Sequence, residues 1–295
     1  MAMGFNRAEI GSRVRAYRLG AGFNADQLAS KLGVSRAALY RIEQGEIVKV
    51  DVLENIAAIL GTSLASLLGV GAEYHSNAAS YQARMQQLEK NASHIVALFS
   101  PLSYLLTTED YDKDLAVMLE ESVSPRTRQR ADRKTEQQAV LKTLSERRKQ
   151  ARERKPSITC LISLEELRRL VTLGLVGRLG LPAAVIAKRR AAARREVQHL
   201  ADMMTTEPVG IQIGLIEDVA PNVAFQLFYK GNDVLLGTSP FRIAELPNLH
   251  VGVAMITSNP EAVDLHVQLF DQLWGVCKRG SEGARLLEDM IKQKF

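Results

Sequence analysis

The stretch VSRAALYRIEQGE, Val34 to Glu46, places Ser35, Arg36, Ala37, Tyr40 and Arg41 on one side of a short helix and Leu39 and Ile42 on the other. Two guanidinium forks, a phenol and a hydroxyl form a surface that can hydrogen-bond flat polar edges, and Ala37 adds a small apolar contact. Arginine- and tyrosine-bearing helix faces are also often simply solvated, so the flanking residues decide what this face touches.

Residues 8–70 read as five short helices. Ile10, Val14 and Tyr17 keep helical spacing in the first. Asn24 offers an N-cap to ADQLASKLG, whose inward side is Leu28, Ala29 and Leu32, and Gly33 closes it. Ser35 caps RAALYRIEQ, which ends at Gly45. DVLENIAAILG follows, with Asp51 as its expected cap and Leu53, Ile56, Ala57 and Leu60 inward, and SLASLLG completes the set. The opening stretch is thus the second helix of a helix-turn-helix pair.

QLASKLGVSRAALYRIEQG, the apolar positions on either side and the tail LENIAAILGTSLASLL resemble the helix-turn-helix domain of the xenobiotic-response-element regulators, relatives of the lambda and Cro repressors. The resemblance covers Ile10 to Leu68. It implies that the second helix of the pair enters the major groove of DNA and that Ser35, Arg36, Ala37, Tyr40 and Arg41 meet base edges. Arg36 and Arg41 would each suit guanine O6 and N7, and Ala37 a thymine methyl. It also implies that Arg18 and Glu43 form a partly buried ion pair tying the first helix to the recognition helix, a supporting role rather than base reading. Where relatives often carry a glutamine at the start of the second helix, this chain has Ala25. Phosphate anchoring is therefore expected from Asn24, Gln27, Gln44 and Lys49.

Beyond Gly71 the pattern changes. YQARMQQLEKNASHIVALFSPL reads as one long amphipathic helix with Met85, Leu88, Ala92, Ile95 and Leu98 or Phe99 as its apolar stripe, and Thr108 is the expected cap of a second helix. Residues 126–155 carry twelve basic against four acidic side chains and read as an exposed helix, whereas residues 201–275 carry two basic against nine acidic. From Ser157 the reading is mixed: SITCLI as a strand, two helices, then VGIQIGLI, NVAFQLFY, DVLLGT, PFRIAEL and HVGVAMITS as strands, and two closing helices. In layout this part resembles the C-terminal domain of many actinobacterial regulators of the same family, although Ser103 to Thr108 lacks the proline, glycine and glutamine of their turn.

The expected fold is multi-domain: an all-α five-helix helix-turn-helix domain over 1–70, a helical linker and dimerisation region over 71–156, and an α+β effector-binding domain over 157–295. A chain of 295 residues with 46% hydrophobic side chains can bury such cores, and its formal charge of +5 permits a polyanion partner. No apolar run reaches the roughly 18 residues of a membrane span, and the N-terminus lacks an uninterrupted hydrophobic core of a signal peptide, so a cytoplasmic protein is expected. Cys160 and Cys277 fit ordinary thiols, and the five histidines show no metal-ligand spacing, so no metal or cofactor is expected. Gly174, Gly177 and Gly180 lack the Gly-Lys-Ser/Thr of a phosphate loop and read as a turn. With no catalytic motif, the expectation is a non-enzymatic, dimeric repressor. Its partners would be double-stranded DNA carrying an inverted repeat, a second copy of itself and a small-molecule effector. The competing reading is an antitoxin-like regulator controlled by a protein partner.

Overall fold

Capping residues and apolar spacing build the first domain. The helices are α1 (Arg7–Gly20), α2 (Ala25–Leu32), α3 (Arg36–Glu43), α4 (Val50–Leu60) and α5 (Leu64–Leu68) in a computed structural model that describes residues 7–46, 49–99, 101–123 and 130–293. Asn24 and Gln27 cap α2 reciprocally, each side-chain oxygen accepting the other's backbone N–H at 2.8 Å. Ser35 Oγ accepts the Ala38 N–H at 3.1 Å, and Gly33 (φ 68°) and Gly45 (φ 91°) take the left-handed conformation that ends α2 and follows α3. Helix α4 begins two residues earlier than Asp51 allows as a cap. Lys49 holds the N-cap position, and Asp51 lies in the first turn, where its carboxylate favours the helix dipole. Val14, Leu28, Leu39, Leu53, Ile56 and Leu67 form this domain's separate core.

The larger domain follows as β1 (Ala72–His75), α6 (Ala78–Asn91), β2 (His94–Phe99), α7 (Tyr111–Ser122), α8 (Arg130–Arg154), β3 (Ser157–Ser163), α9 (Leu164–Leu173) and α10 (Ala183–Thr206). It continues through β4 (Ile211–Ile216), β5 (Ala224–Lys230), β6 (Asp233–Ser239), β7 (Ala254–Thr257), α11 (Pro260–Val276), β8 (Lys278–Arg279) and α12 (Gly280–Lys292). The strands form one mixed sheet in the order β1-β7-β6-β5-β2-β3-β4-β8. Only β2-β3 and β3-β4 are parallel. The chain is therefore multi-domain, a helical domain followed by an α+β domain. The segment 71–156, read as a helical linker, supplies β1 and β2 to the same sheet as the strands beyond 157.

The two sheet faces are covered unequally. Ile95, Ala97 and Phe99 of β2 point into a core shared with α6 to α10 and α12, while Val96 and Leu98 point into a second cluster. Among the described residues that second cluster takes its helical members from α11, chiefly Val263 and Phe270. Among the described residues no helix is long and apolar enough to cross a membrane.

Several expected elements differ. The single helix over 81–102 is instead α6, a break at Ala92-Ser93, and β2. Because β2 lies between β3 and β5 with both faces buried, HIVALF shows no polar alternation, and a continuous apolar run does not distinguish strand from helix. Thr108 does not cap α7. Asp110 occupies that position, and Thr108 donates through N and Oγ1 to the buried Glu196 at 2.9 and 2.5 Å. PFRIAEL is a loop with one isolated bridge, Arg242–Asn248.

The basic run is not simply an exposed helix. Residues 126–129 lie outside the described residues, but within α8 Gln137, Val140, Leu144, Arg147 and Arg148 are buried. Arg147 pairs with Glu89 and donates to Gln82. Arg148 binds Thr107 at 2.6 Å and Asp112 at 3.0 Å over the Tyr104 ring. Partners some 36 to 65 residues away explain why charge counting assigned this face to solvent. The glycine turn is packed, since a Cβ on Gly177 would fall 1.9 Å from the Met118 carbonyl oxygen. Cys160 is buried and Cys277 half-buried, both as free thiols.

Candidate nucleic-acid interface

The apolar side of α3 fixes which side remains outside. Leu39 is fully buried and Ile42 nearly so, which leaves Ser35, Arg36, Ala37, Tyr40 and Arg41 exposed, with Tyr40 at 63%. Arg36 Nη1 lies 3.4 Å from Asp26 Oδ2, and Arg41 Nε lies 3.6 Å from Glu46 Oε2, all four side chains being exposed. Such pairs contribute roughly 0.2 to 1 kcal/mol, so either guanidinium can exchange its carboxylate for a base edge at small cost. Ser35 already uses its hydroxyl oxygen as a cap, and only its O–H remains to give.

Asn24 and Gln27 sit at the exposed start of α2 with their carbonyl oxygens committed to the capping box, leaving both amide NH2 groups as donors. Gln44 is the exposed C-cap of α3, and Lys49 is exposed at the start of α4. These four residues lie at the ends of the helices, whereas Arg36, Ala37, Tyr40 and Arg41 lie on α3 itself, with Ser35 as its N-cap.

Arg18 and Glu43 meet as a two-pronged pair. Arg18 Nε donates to Glu43 Oε1 at 2.6 Å, Nη2 to Oε2 at 3.0 Å, and Nη1 to the Phe23 carbonyl at 3.0 Å. Both side chains are under a tenth exposed, and the pair ties α1 to the C-terminal end of α3.

A second set of residues escaped the sequence reading. Glu73 on β1 receives Arg13 Nε of α1 at 2.5 Å and Arg84 Nε of α6 at 2.8 Å, and Arg84 Nη2 reaches Glu9 at 2.6 Å. Burial works against the charged Glu73, but Arg84 and Arg13, with His75 close by, outweigh it and hold the carboxyl well below the usual carboxylate range. His75 stacks on Tyr17, ring centres 4.9 Å apart, and burial pushes its imidazole below the ordinary value. Tyr17 Oη donates to the Tyr74 carbonyl at 2.9 Å and Gln87 Nε2 to that of Ser12 at 2.8 Å. The reading head is thus bolted to the larger domain through α1. Partners up to 75 residues apart leave no periodic trace in the sequence.

The fold and the site define a helix-turn-helix DNA-binding module on an α+β body. A family model described as a helix-turn-helix domain matches residues 9–68, which places this N-terminal domain among those carried by DNA-binding regulators. No curated protein matches the chain.

Proposed function

We infer that the chain is a sequence-specific transcriptional regulator of the xenobiotic-response-element type. In this reading it is a cytoplasmic, non-enzymatic repressor that binds an inverted-repeat operator as a homodimer, with the larger domain serving dimerisation and effector sensing. The observation that carries it is the face of α3: Arg36, Ala37, Tyr40 and Arg41 stand exposed on a helix anchored by buried Leu39 and Ile42. Arg36 and Arg41 read base edges, while Asn24, Gln27, Gln44 and Lys49 hold phosphates.

A single head of this size contacts one half-site, and two-fold pairing supplies the second. Support for pairing comes from α11, which among the described residues is the one helix packed on the second sheet face yet leaves Leu265, Leu269 and Val276 58%, 42% and 75% exposed on its outer side. The test is footprinting on the DNA upstream of the chain's own coding region. A protected inverted repeat, lost in the Arg36→Ala/Arg41→Ala variant, is expected. Uniform protection that ignores sequence would overturn the reading.

A further inference from the structure

A cavity of about 420 Å³ opens between the C-terminal end of α10, the start of β4 and the β8–α12 junction. Its wall combines the apolar Met203, Met204, Ile211, Ile213 and Trp274 with the polar Gln212, and its volume lies in the range of small-molecule sites. Trp274 is held by stacking on Phe270, ring centres 5.6 Å apart and 16° from parallel.

Two opposite charges share one end of this cavity. Arg279 lies over the Trp274 ring, its guanidinium carbon 5.1 Å from the ring centre. Glu207 Oε1 lies 3.0 Å from the position a Cβ would take on Gly280, the residue next to Arg279. Among the described residues, neither the Glu207 carboxylate nor the Arg279 guanidinium has a hydrogen-bond or ion-pair partner, so a ligand can engage both without breaking an existing pair. Glu207 ends α10 in the left-handed conformation (φ 44°), a backbone setting uncommon for a non-glycine residue and recurrent at ligand sites. Val209, fully exposed, extends the apolar wall to the rim.

We propose that this cavity binds the zwitterion of an apolar α-amino acid, its side chain against Trp274 and the two methionines, its carboxylate on Arg279 and its ammonium on Glu207. Binding stands on the cavity alone; its use as an effector site rests on the DNA-binding reading above. A side chain of each sign at the cavity suits a ligand that carries both charges, and Trp274 with the two methionines suits an apolar side chain on that ligand.

Trp274 is the chain's one tryptophan, so its fluorescence reports the cavity directly. The full chain is titrated with L-phenylalanine and L-leucine, and in parallel with 2-phenylethylamine, 3-phenylpropanoate and glycine. A saturable change is expected with the first two, and binding weaker by at least about tenfold with the other three. Glu207→Gln and Arg279→Gln, both exposed positions, are each expected to weaken L-phenylalanine by about tenfold while leaving the thermal transition in place. No saturable response to either amino acid at millimolar concentration overturns the proposal, as does equal binding of the amine or the acid. Because no DNA enters this titration, failure of the regulator reading leaves its outcome unaffected, and the reverse also holds.

Discussion

Arg84 and Glu73 face each other as two parallel forks, Nε to Oε2 at 2.8 Å and Nη2 to Oε1 at 3.0 Å, with both side chains sealed from solvent. Arg84 belongs to α6, Glu73 to the edge strand β1, and Arg13 and Glu9 of α1 complete the set. Two guanidiniums balance two carboxylates, so the buried group carries no net charge and each partner depends on the others. The orientation of the recognition helix relative to the sheet is therefore set by a charged joint instead of a loose tether.

Removing one member strands a buried charge. Arg84→Met is expected to lower stability by about 3 to 5 kcal/mol. Urea unfolding followed by circular dichroism measures it. A loss under about 1 kcal/mol would show that the joint is not holding the domains together.

Arg36→Ala and Arg41→Ala are each expected to cost roughly 1 to 3 kcal/mol on the operator and much less on random duplex, with unchanged thermal stability. Fluorescence anisotropy with both DNAs provides the comparison. Equal losses on the two would demote these residues to phosphate anchors.

Helices α1 and α3 touch through backbone at Gly11, where a Cβ would lie 2.6 Å from the carbonyl oxygens of both Ile42 and Glu43. Gly11→Ala is expected to destabilise the first domain by about 1 to 3 kcal/mol. At Gly275 in α11 a Cβ meets nothing within 4 Å. There Gly→Ala is expected to stabilise by roughly 0.5 to 1 kcal/mol through helix propensity. Melting curves that move the same way for both variants would contradict the packing.

Burial raises the Glu245 carboxyl to about 7, against the pull of Arg242 at 3.1 Å and Arg169 at 3.5 Å. The folded protein thus holds this proton more tightly than the unfolded chain does. The associated stability is fully present below the unfolded value of 4.5 and is lost as pH rises through about 7. Glu245→Gln is expected to gain on the parent by roughly 1 to 3 kcal/mol between about pH 5 and about pH 8. Stability curves that stay parallel across that window would rule out Glu245 as the source.

On the outer side of α11, Leu269→Glu is expected to shift the chain from dimer to monomer without unfolding it, because Leu269 is 42% exposed and contributes little to the internal core. Sedimentation velocity at micromolar concentration decides. A parent that is already monomeric removes the α11 interface from consideration.

The first domain was legible because its signals are local. Asn24 and Ser35 cap helices that start one residue later, Gly33 and Gly45 mark their ends, and Leu39 and Ile42 point inward at helical spacing. Strands β3 to β6 were legible for the same reason, being bounded by prolines, glycines or polar turns. What failed was long-range. β2 is buried on both faces and loses its alternation, β1 is only four residues long, and the arginines of α8 look solvent-bound until Glu89 and Asp112 are brought to them. The exposed face of α3 was visible in the sequence, but the joint of Glu9, Arg13, Glu73 and Arg84 that aims it was not, since its ends are up to 75 residues apart.

Strand β1 gives the connection between the domains a parity. Along Ala72–His75, Glu73 and His75 turn inward while Tyr74, 55% exposed, turns out. A slip of β1 by one residue against β7 would turn Tyr74 into the joint and Glu73 out to solvent. A slip of two residues would keep the alternation. A chimera grafting a foreign head onto this body therefore inherits its aim only if β1 keeps its pairing with β7, with Glu73 opposite Ile256.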